Sequence, residues 1–137
     1  MSGPASKLVL YVEDDPLSRQ VMELMVEGAL RDVKLVTFDD SADFLARLRA
    51  LKPRPALILM DVHLKPVDGF ELLAQLRADE AYRDLKVIAL TASVMNEEIV
   101  QLHTSGFDGA IAKPISVTTF PSLIERILAG EKVWHIM

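Results

Sequence analysis

Five short apolar runs punctuate the chain: Leu8 to Val12, Lys34 to Phe38, Ala56 to Met60, Val87 to Leu90 and Gly109 to Ala112. Each is apolar almost throughout instead of alternating, the pattern of strands in a parallel sheet covered on both faces. Between the runs the apolar period changes to about 3.6 residues, as helices require. Phe44, Leu45 and Leu48 share one helical face, with Ser41 the expected N-cap and Pro53 a stop. Phe70, Leu73 and Leu76 form the next stripe, followed by polar Asp79-Glu80. Leu123, Ile124, Ile127 and Leu128 form the last, ended by Gly130. Proline fits a helix only in its first turn, so Pro121 predicts a start near Thr119. Strand and helix alternating five times predict an α/β fold, a doubly wound five-stranded parallel sheet with helices on both faces. The strand order that the pattern favours is 2-1-3-4-5. Residues 1–6 are expected to form a flexible N-terminal tail, 7–130 the folded body and 131–137 a C-terminal tail, with Trp134 packing back on the body.

Composition narrows the function. A chain of 137 residues makes one domain with a sizeable core. Its net charge of -5 argues against nucleic acid as a partner, because phosphate binding needs a basic footprint. Without cysteine there is no disulfide framework, thiolate metal site or cysteine nucleophile. No apolar run reaches the length of a membrane span, and the polar start is not a signal peptide, so the expected location is cytoplasmic.

Candidate chemistry falls at the ends of the apolar runs. Glu13-Asp14 follows the first, Asp61 closes the third, Thr91 ends the fourth and Lys113-Pro114 follows the fifth. In an open parallel sheet, ligands bind outside the carboxyl ends of the strands, so these residues should converge on one edge. Each has an ordinary explanation alone: a helix cap, a loop aspartate, a β-branched strand residue, a surface lysine. None of those explains their arrival at the same edge. Three carboxylates so close repel one another unless one is protonated or a cation sits among them. Magnesium suits such a site, as a hard ion that takes a few carboxylates, waters and phosphate oxygens. Asp68-Gly69 is a turn signal leading into a helix beside Asp61, and Pro114 biases Lys113 to extended geometry.

Val12-Glu13-Asp14-Asp15-Pro16, Met60-Asp61 with Asp68-Gly69, Leu90-Thr91-Ala92 and Ala112-Lys113-Pro114-Ile115 together resemble the response-regulator receiver domain of two-component signalling. The resemblance covers about Lys7 to Gly130. It implies a flavodoxin-like fold, and that Asp61 accepts a phosphoryl group from a histidine kinase or histidine phosphotransfer protein. It further implies that Asp14 and Asp61 ligate Mg2+ directly, Glu13 through water, and His63 through its backbone carbonyl. Thr91 and Lys113 would contact the phosphoryl oxygens. The implied protein is not an enzyme on other molecules, but a phosphoacceptor that assists its own phosphorylation and dephosphorylation. Its signal would pass to a downstream protein effector through the fourth helix, fifth strand and fifth helix, as a monomer or a phosphorylation-linked dimer.

His63 and Ser93 stand where relatives tune water access, and small Ala92 leaves room for the incoming group. The Lys113–Pro114 bond is expected to be cis. Two departures stand out. Ala110 occupies the position where many relatives carry an aromatic residue, and Lys65-Pro66 places its proline one residue later than many do. The expected function is a stand-alone receiver; the alternative is a receiver excised from a larger hybrid kinase or DNA-binding regulator. A phosphatase with an aspartyl-phosphate intermediate would want a second carboxylate where His63 stands. A nucleotide hydrolase would need a glycine-rich phosphate loop, which is absent. A flavin carrier would need a Ser/Thr-rich loop where Glu13-Asp14-Asp15 stands.

Overall fold

A computed structural model describes residues 7–92 and 95–136 of the chain. The elements in order are β1 (Lys7–Val12), α1 (Pro16–Ala29), β2 (Val33–Phe38), α2 (Phe44–Arg49), β3 (Leu57–Asp61) and α3 (Gly69–Ala78). They continue with β4 (Val87–Thr91), α4 (Asn96–Ser105), β5 (Gly109–Ala112), α5 (Phe120–Leu128) and β6 (Trp134–His135). The strands form one sheet in the order β2-β1-β3-β4-β5-β6, and every neighbouring pair is parallel. The five-strand order expected from the pattern is present, with β6 added at its edge.

Alternation along the central strands divides the core into two. Leu10, Val12, Ile58, Met60 and Ala89 face α2, α3 and α4, where Leu48, Leu73, Leu76 and Leu102 meet them. Val9, Tyr11, Leu57, Leu59, Ile88 and Leu90 face α1 and α5, against Met22, Met25, Phe120, Ile124 and Ile127. Strands buried on both faces have no polar side to show, which is why they read as unbroken apolar runs. With all strands parallel, their carboxyl ends share one rim. Polar side chains were expected there, and caps anchor the loops that carry them. Asp15 caps α1 by accepting from the Ser18 N–H at 3.0 Å, with Pro16 at the helix start. Asp68 caps α3 by accepting from the Glu71 N–H at 2.9 Å. Helix α5 starts after Thr119 with Pro121 in its first turn, as its sequence predicts.

Two expectations change. Ser41 does not cap α2, whose first residue is Phe44 and whose cap, Asp43, adopts a left-handed φ of 49°. Ser41 is buried and committed elsewhere: its Oγ accepts from the Val67 N–H at 2.7 Å, and its own N–H donates to the Lys65 carbonyl at 3.2 Å. It thus ties the loop after β3 to the end of β2. The segment read as a C-terminal tail also pairs with the sheet. Trp134 lies beside Ala110 in the β5–β6 register, Val133 is buried, and the Ala110 N–H donates to the Val133 carbonyl at 2.9 Å. The Lys113–Pro114 peptide is cis, as are Lys52–Pro53 and Lys65–Pro66.

Candidate functional site

The three consecutive acids after β1 take three different jobs. Glu13 turns inward and is buried; its N–H donates to the Phe38 carbonyl at 3.0 Å. The Tyr11 hydroxyl donates to its Oε1 at 3.1 Å, and an Arg19 N–H donates to its backbone carbonyl at 2.8 Å. Asp14 stays exposed on the rim, while Asp15 is spent on the α1 cap. Hydrogen bonds from Ser18 hold the Asp15 carboxyl below the usual carboxylate range.

Asp61 is the last residue of β3 and is buried. Its Oδ1 accepts from the His63 N–H at 2.9 Å, and its Oδ2 accepts from Lys113 Nζ at 2.8 Å. Gly69 lets α3 begin directly against this strand end. A Cβ there would stand 2.7 Å from the Asp61 carbonyl oxygen and 2.8 Å from Val62 Cα, closer than real contacts allow. The Gly69 N–H uses that proximity to donate to the Val62 carbonyl at 2.9 Å. Lys113 is fixed across the edge by its N–H, which donates to the Thr91 carbonyl at 2.8 Å. Its ammonium donates to Glu13 Oε1 at 2.6 Å as well as to Asp61, joining β1, β3 and β5 through one side chain.

Oxygens of Glu13, Asp14 and Asp61 lie within 4.8 Å of one another. Burial pushes the Glu13 carboxyl above its usual range; Lys113 pulls it back and Asp61 raises it further. Burial also opposes ionisation of Asp61, but hydrogen bonds from Lys113 and from the His63 N–H outweigh it, so this carboxyl sits below its ordinary value. The Lys113 ammonium loses hydration, yet its two carboxylate partners more than compensate and raise its pKa. Burial and the neighbouring Glu13 push the Tyr11 phenol far up, so it remains a neutral donor. All the donors are hard oxygens with one exposed carboxylate at the mouth, a set that fits a magnesium ion.

Glu13, Asp14, Asp61 and Lys113 therefore come together as their positions in the sequence led us to expect. Thr91 lies buried at the adjoining end of β4, with its hydroxyl donating to Glu98 Oε1 at 2.9 Å. The His63 side chain is exposed, and its Nε2 lies 3.6 Å from the same Glu98 oxygen. Ser93 lies outside the described residues. Sequence reasoning missed Glu98, because a carboxylate in the first turn of a helix is already explained by the helix dipole. It also counted Tyr11 only as part of an apolar run, although the hydroxyl faces Glu13.

The family model for the response regulator receiver domain matches residues 9–125. Polar-differentiation response regulator DivK of Brucella ovis is 33% identical over 123 residues, which are 90% of this chain and 97% of the relative. Among solved structures, the signal receiver domain of a signal transduction histidine kinase from Syntrophus aciditrophicus superposes with a TM-score of 0.79 at 26% identity, covering 93% of each chain. The receiver domain of a sensor histidine kinase from Pseudomonas aeruginosa gives a TM-score of 0.79 at 25% identity, covering 92% of this chain and all of the other. That structure has a magnesium ion coordinated in its active-site cleft.

Proposed function

The chain belongs to the response regulator receiver domain family, and from that premise we propose that Asp61 is the residue that takes up the phosphoryl group. The observation that carries this reading is the Lys113 ammonium seated between Glu13 and Asp61, at 2.6 and 2.8 Å, at the meeting of three strand ends. Asp61 is ionised at neutral pH because Lys113 and the His63 N–H stabilise its charge against burial. A carboxylate oxygen of Asp61 attacks the phosphorus of a phosphohistidine in line. The new O–P bond forms as the N–P bond breaks, and the imidazole nitrogen departs with the electron pair. Such transfer is assisted mainly by positioning and by cations facing the equatorial oxygens. Lys113 supplies one fixed positive charge on this rim, and Gly69 and the His63 N–H fix the nucleophile. Glu13, Asp14, Asp61 and the backbone carbonyl of His63 would hold Mg2+, which when bound supplies further positive charge against the phosphoryl oxygens. Thr91 would bind a phosphoryl oxygen. The product is an acyl phosphate, which water hydrolyses, so the signal expires by its own chemistry.

The partner reading rests on helix α1. Leu17 and Leu24 are 66% and 64% exposed, and Val21 completes an apolar ridge along the outer face of α1. Met22, Pro114 and Ile115 line a groove from that ridge to Lys113. A histidine kinase or phosphotransfer protein docking on this ridge would present its histidine beside Asp61. With a net charge of -5, nucleic acid is a poor partner for this chain. Among the described residues no helix is long and apolar enough to cross a membrane.

Incubation with Mg2+ and acetyl phosphate, followed by intact-mass measurement, tests the acceptor. Wild type should gain one phosphoryl group and Asp61→Asn none. Equal labelling of the two proteins would remove Asp61 from the role.

A further inference from the structure

We propose that Glu98 is a positioning residue that holds the Thr91 hydroxyl in reserve, so that phosphorylation must break the Thr91–Glu98 hydrogen bond before Thr91 can engage the phosphoryl group. The proposal rests on the reading of Asp61 as acceptor. It begins from a rotamer. A first-turn carboxylate gains from the helix dipole while remaining in water. Glu98 instead folds back toward the rim, where its side chain is only 17% exposed. There its Oε1 accepts from Thr91 Oγ1 at 2.9 Å and lies 3.6 Å from His63 Nε2. Drawing a carboxylate out of water is unfavourable unless strong hydrogen bonds replace hydration, and a hydroxyl donating to an ionised acceptor is one of these.

The Thr91 hydroxyl carries a single proton. Donation to Glu98 and donation to a phosphoryl oxygen therefore exclude each other. A phosphoryl group would also place negative charge in front of Glu98, adding repulsion to the competition. Glu98 thus stabilises the unphosphorylated arrangement and sets how strongly the phosphoryl group must pull to reverse it.

The consequence passes to α4. Leu102 is the buried residue of this ten-residue helix, while Met95 before it and Val100 on it are exposed. A helix with so small a buried face depends on its tethers. One is the Glu98–Thr91 bond at its first turn; another is His103, whose ring stacks on Trp134 of β6 with centroids 3.7 Å apart. Release of Glu98 frees the end of α4 nearest the site, while the His103–Trp134 contact holds the other.

Beryllofluoride, which mimics a phosphoryl group on a carboxylate without a chemical step, provides the test. Its affinity for the full chain with Mg2+ is measured by calorimetry for wild type, Asp61→Asn, Glu98→Ala, Glu98→Gln, Thr91→Ala and the Thr91→Ala/Glu98→Ala double variant. Glu98→Ala should bind about tenfold tighter than wild type, the scale of one charge-assisted hydrogen bond. Glu98→Gln, which still accepts from Thr91 but without charge, should fall between them and also covers any failure of the alanine variant to fold. In the Thr91→Ala background the Glu98 substitution should keep only the gain from lost repulsion, well short of its effect in the wild-type background. Unchanged affinity in both Glu98 variants, or an equal gain in the Thr91→Ala background, would overturn the proposal. Absence of binding by wild type, or binding retained by Asp61→Asn, would overturn the acceptor reading and this proposal with it.

Discussion

Lys113 shows how one side chain can balance a site that would otherwise oppose folding. Its ammonium serves Glu13 and Asp61 together, and both carboxylates are buried. Removing it leaves two buried anions to share whatever protons are available. The titration of the three groups gives the direction of the effect. Asp61, held below its ordinary value of 3.8, contributes stability that is present above that value and lost as pH falls through its folded pKa. Lys113, held above 10.5, contributes stability that is present below that value and lost as pH rises through its folded pKa. Glu13, raised above 4.5, favours the folded state only where it is protonated, and that contribution fades as pH rises through its folded pKa. In Lys113→Met the carboxylates lose their counter-ion and both move upward, so protons take its place as the solution is acidified. We expect the metal-free variant to be about 2 kcal/mol less stable than wild type near neutrality, below the range for a fully buried pair because the lysine is partly exposed. Urea denaturation at about pH 7.5 and about pH 5 should show that deficit shrinking in acid. A deficit of the same size at both values would mean that Lys113 contributes packing and not charge.

At the scale of elements, the strand most in need of explanation is β6. It has two residues, and the segment around it, Val133-Trp134-His135-Ile136, is interrupted by His135 and too short to stand out as a strand. The inner strands were legible because burial on both faces imposes an apolar run. Strand β6, like β2, lies at a sheet edge where that requirement is relaxed, and unlike six-residue β2 it is too short to show a pattern of its own. What draws it in is local: Gly109 has no side chain to keep the Val133 carbonyl away. A Cβ at Gly109 would collide with that oxygen and stand 2.9 Å from Ile88 Cδ1. Gly109→Ala should therefore push β6 off β5 at a cost of about 1–3 kcal/mol while leaving Asp61 and Lys113 in place. Hydrogen exchange is the measurement: the Ala110 amide, which donates to Val133, should exchange faster in the variant while β1 amides keep their protection relative to global stability. Equal protection of Ala110 in the two proteins would show that the sheet edge tolerates the methyl group. The same contrast explains α2, where Ser41 looked like a cap in sequence. Its hydroxyl had a second possible use, bracing the Val67 loop, which depends on residues distant in the chain. Ala110 beside Trp134 carries a related lesson. The aromatic residue lacking on β5 has a counterpart on the next strand, a relation that only the sheet register reveals.

For the molecule as a whole, two separate cores stabilise the layers, which leaves the carboxyl rim free to gather groups that repel each other. Glu13, Asp14 and Asp61 bring three carboxylates to a place where Lys113 supplies one ammonium. Their arrangement was legible in outline because each acid or base ends a strand and parallel strands end together. The share taken by each was not: only packing decides that Glu13 is buried, Asp14 exposed and Asp15 a helix cap. A divalent cation should then act as a ligand of the native state alone, since the unfolded chain disperses the donors. At free Mg2+ about tenfold above its dissociation constant, binding adds about 1.4 kcal/mol, which for a domain of this size raises Tm by about 4 °C. Asp14→Asn separates the ion from the fold: its side chain is exposed, so metal-free stability should remain within about 0.5 kcal/mol of wild type. The same variant should lose most of the Mg2+-dependent rise in Tm. Thermal unfolding with chelator and then with graded Mg2+ reads both effects from one preparation. An equal rise in the two proteins would place the ion elsewhere on this acidic surface, and the rim would then be a balance of protons and one lysine alone.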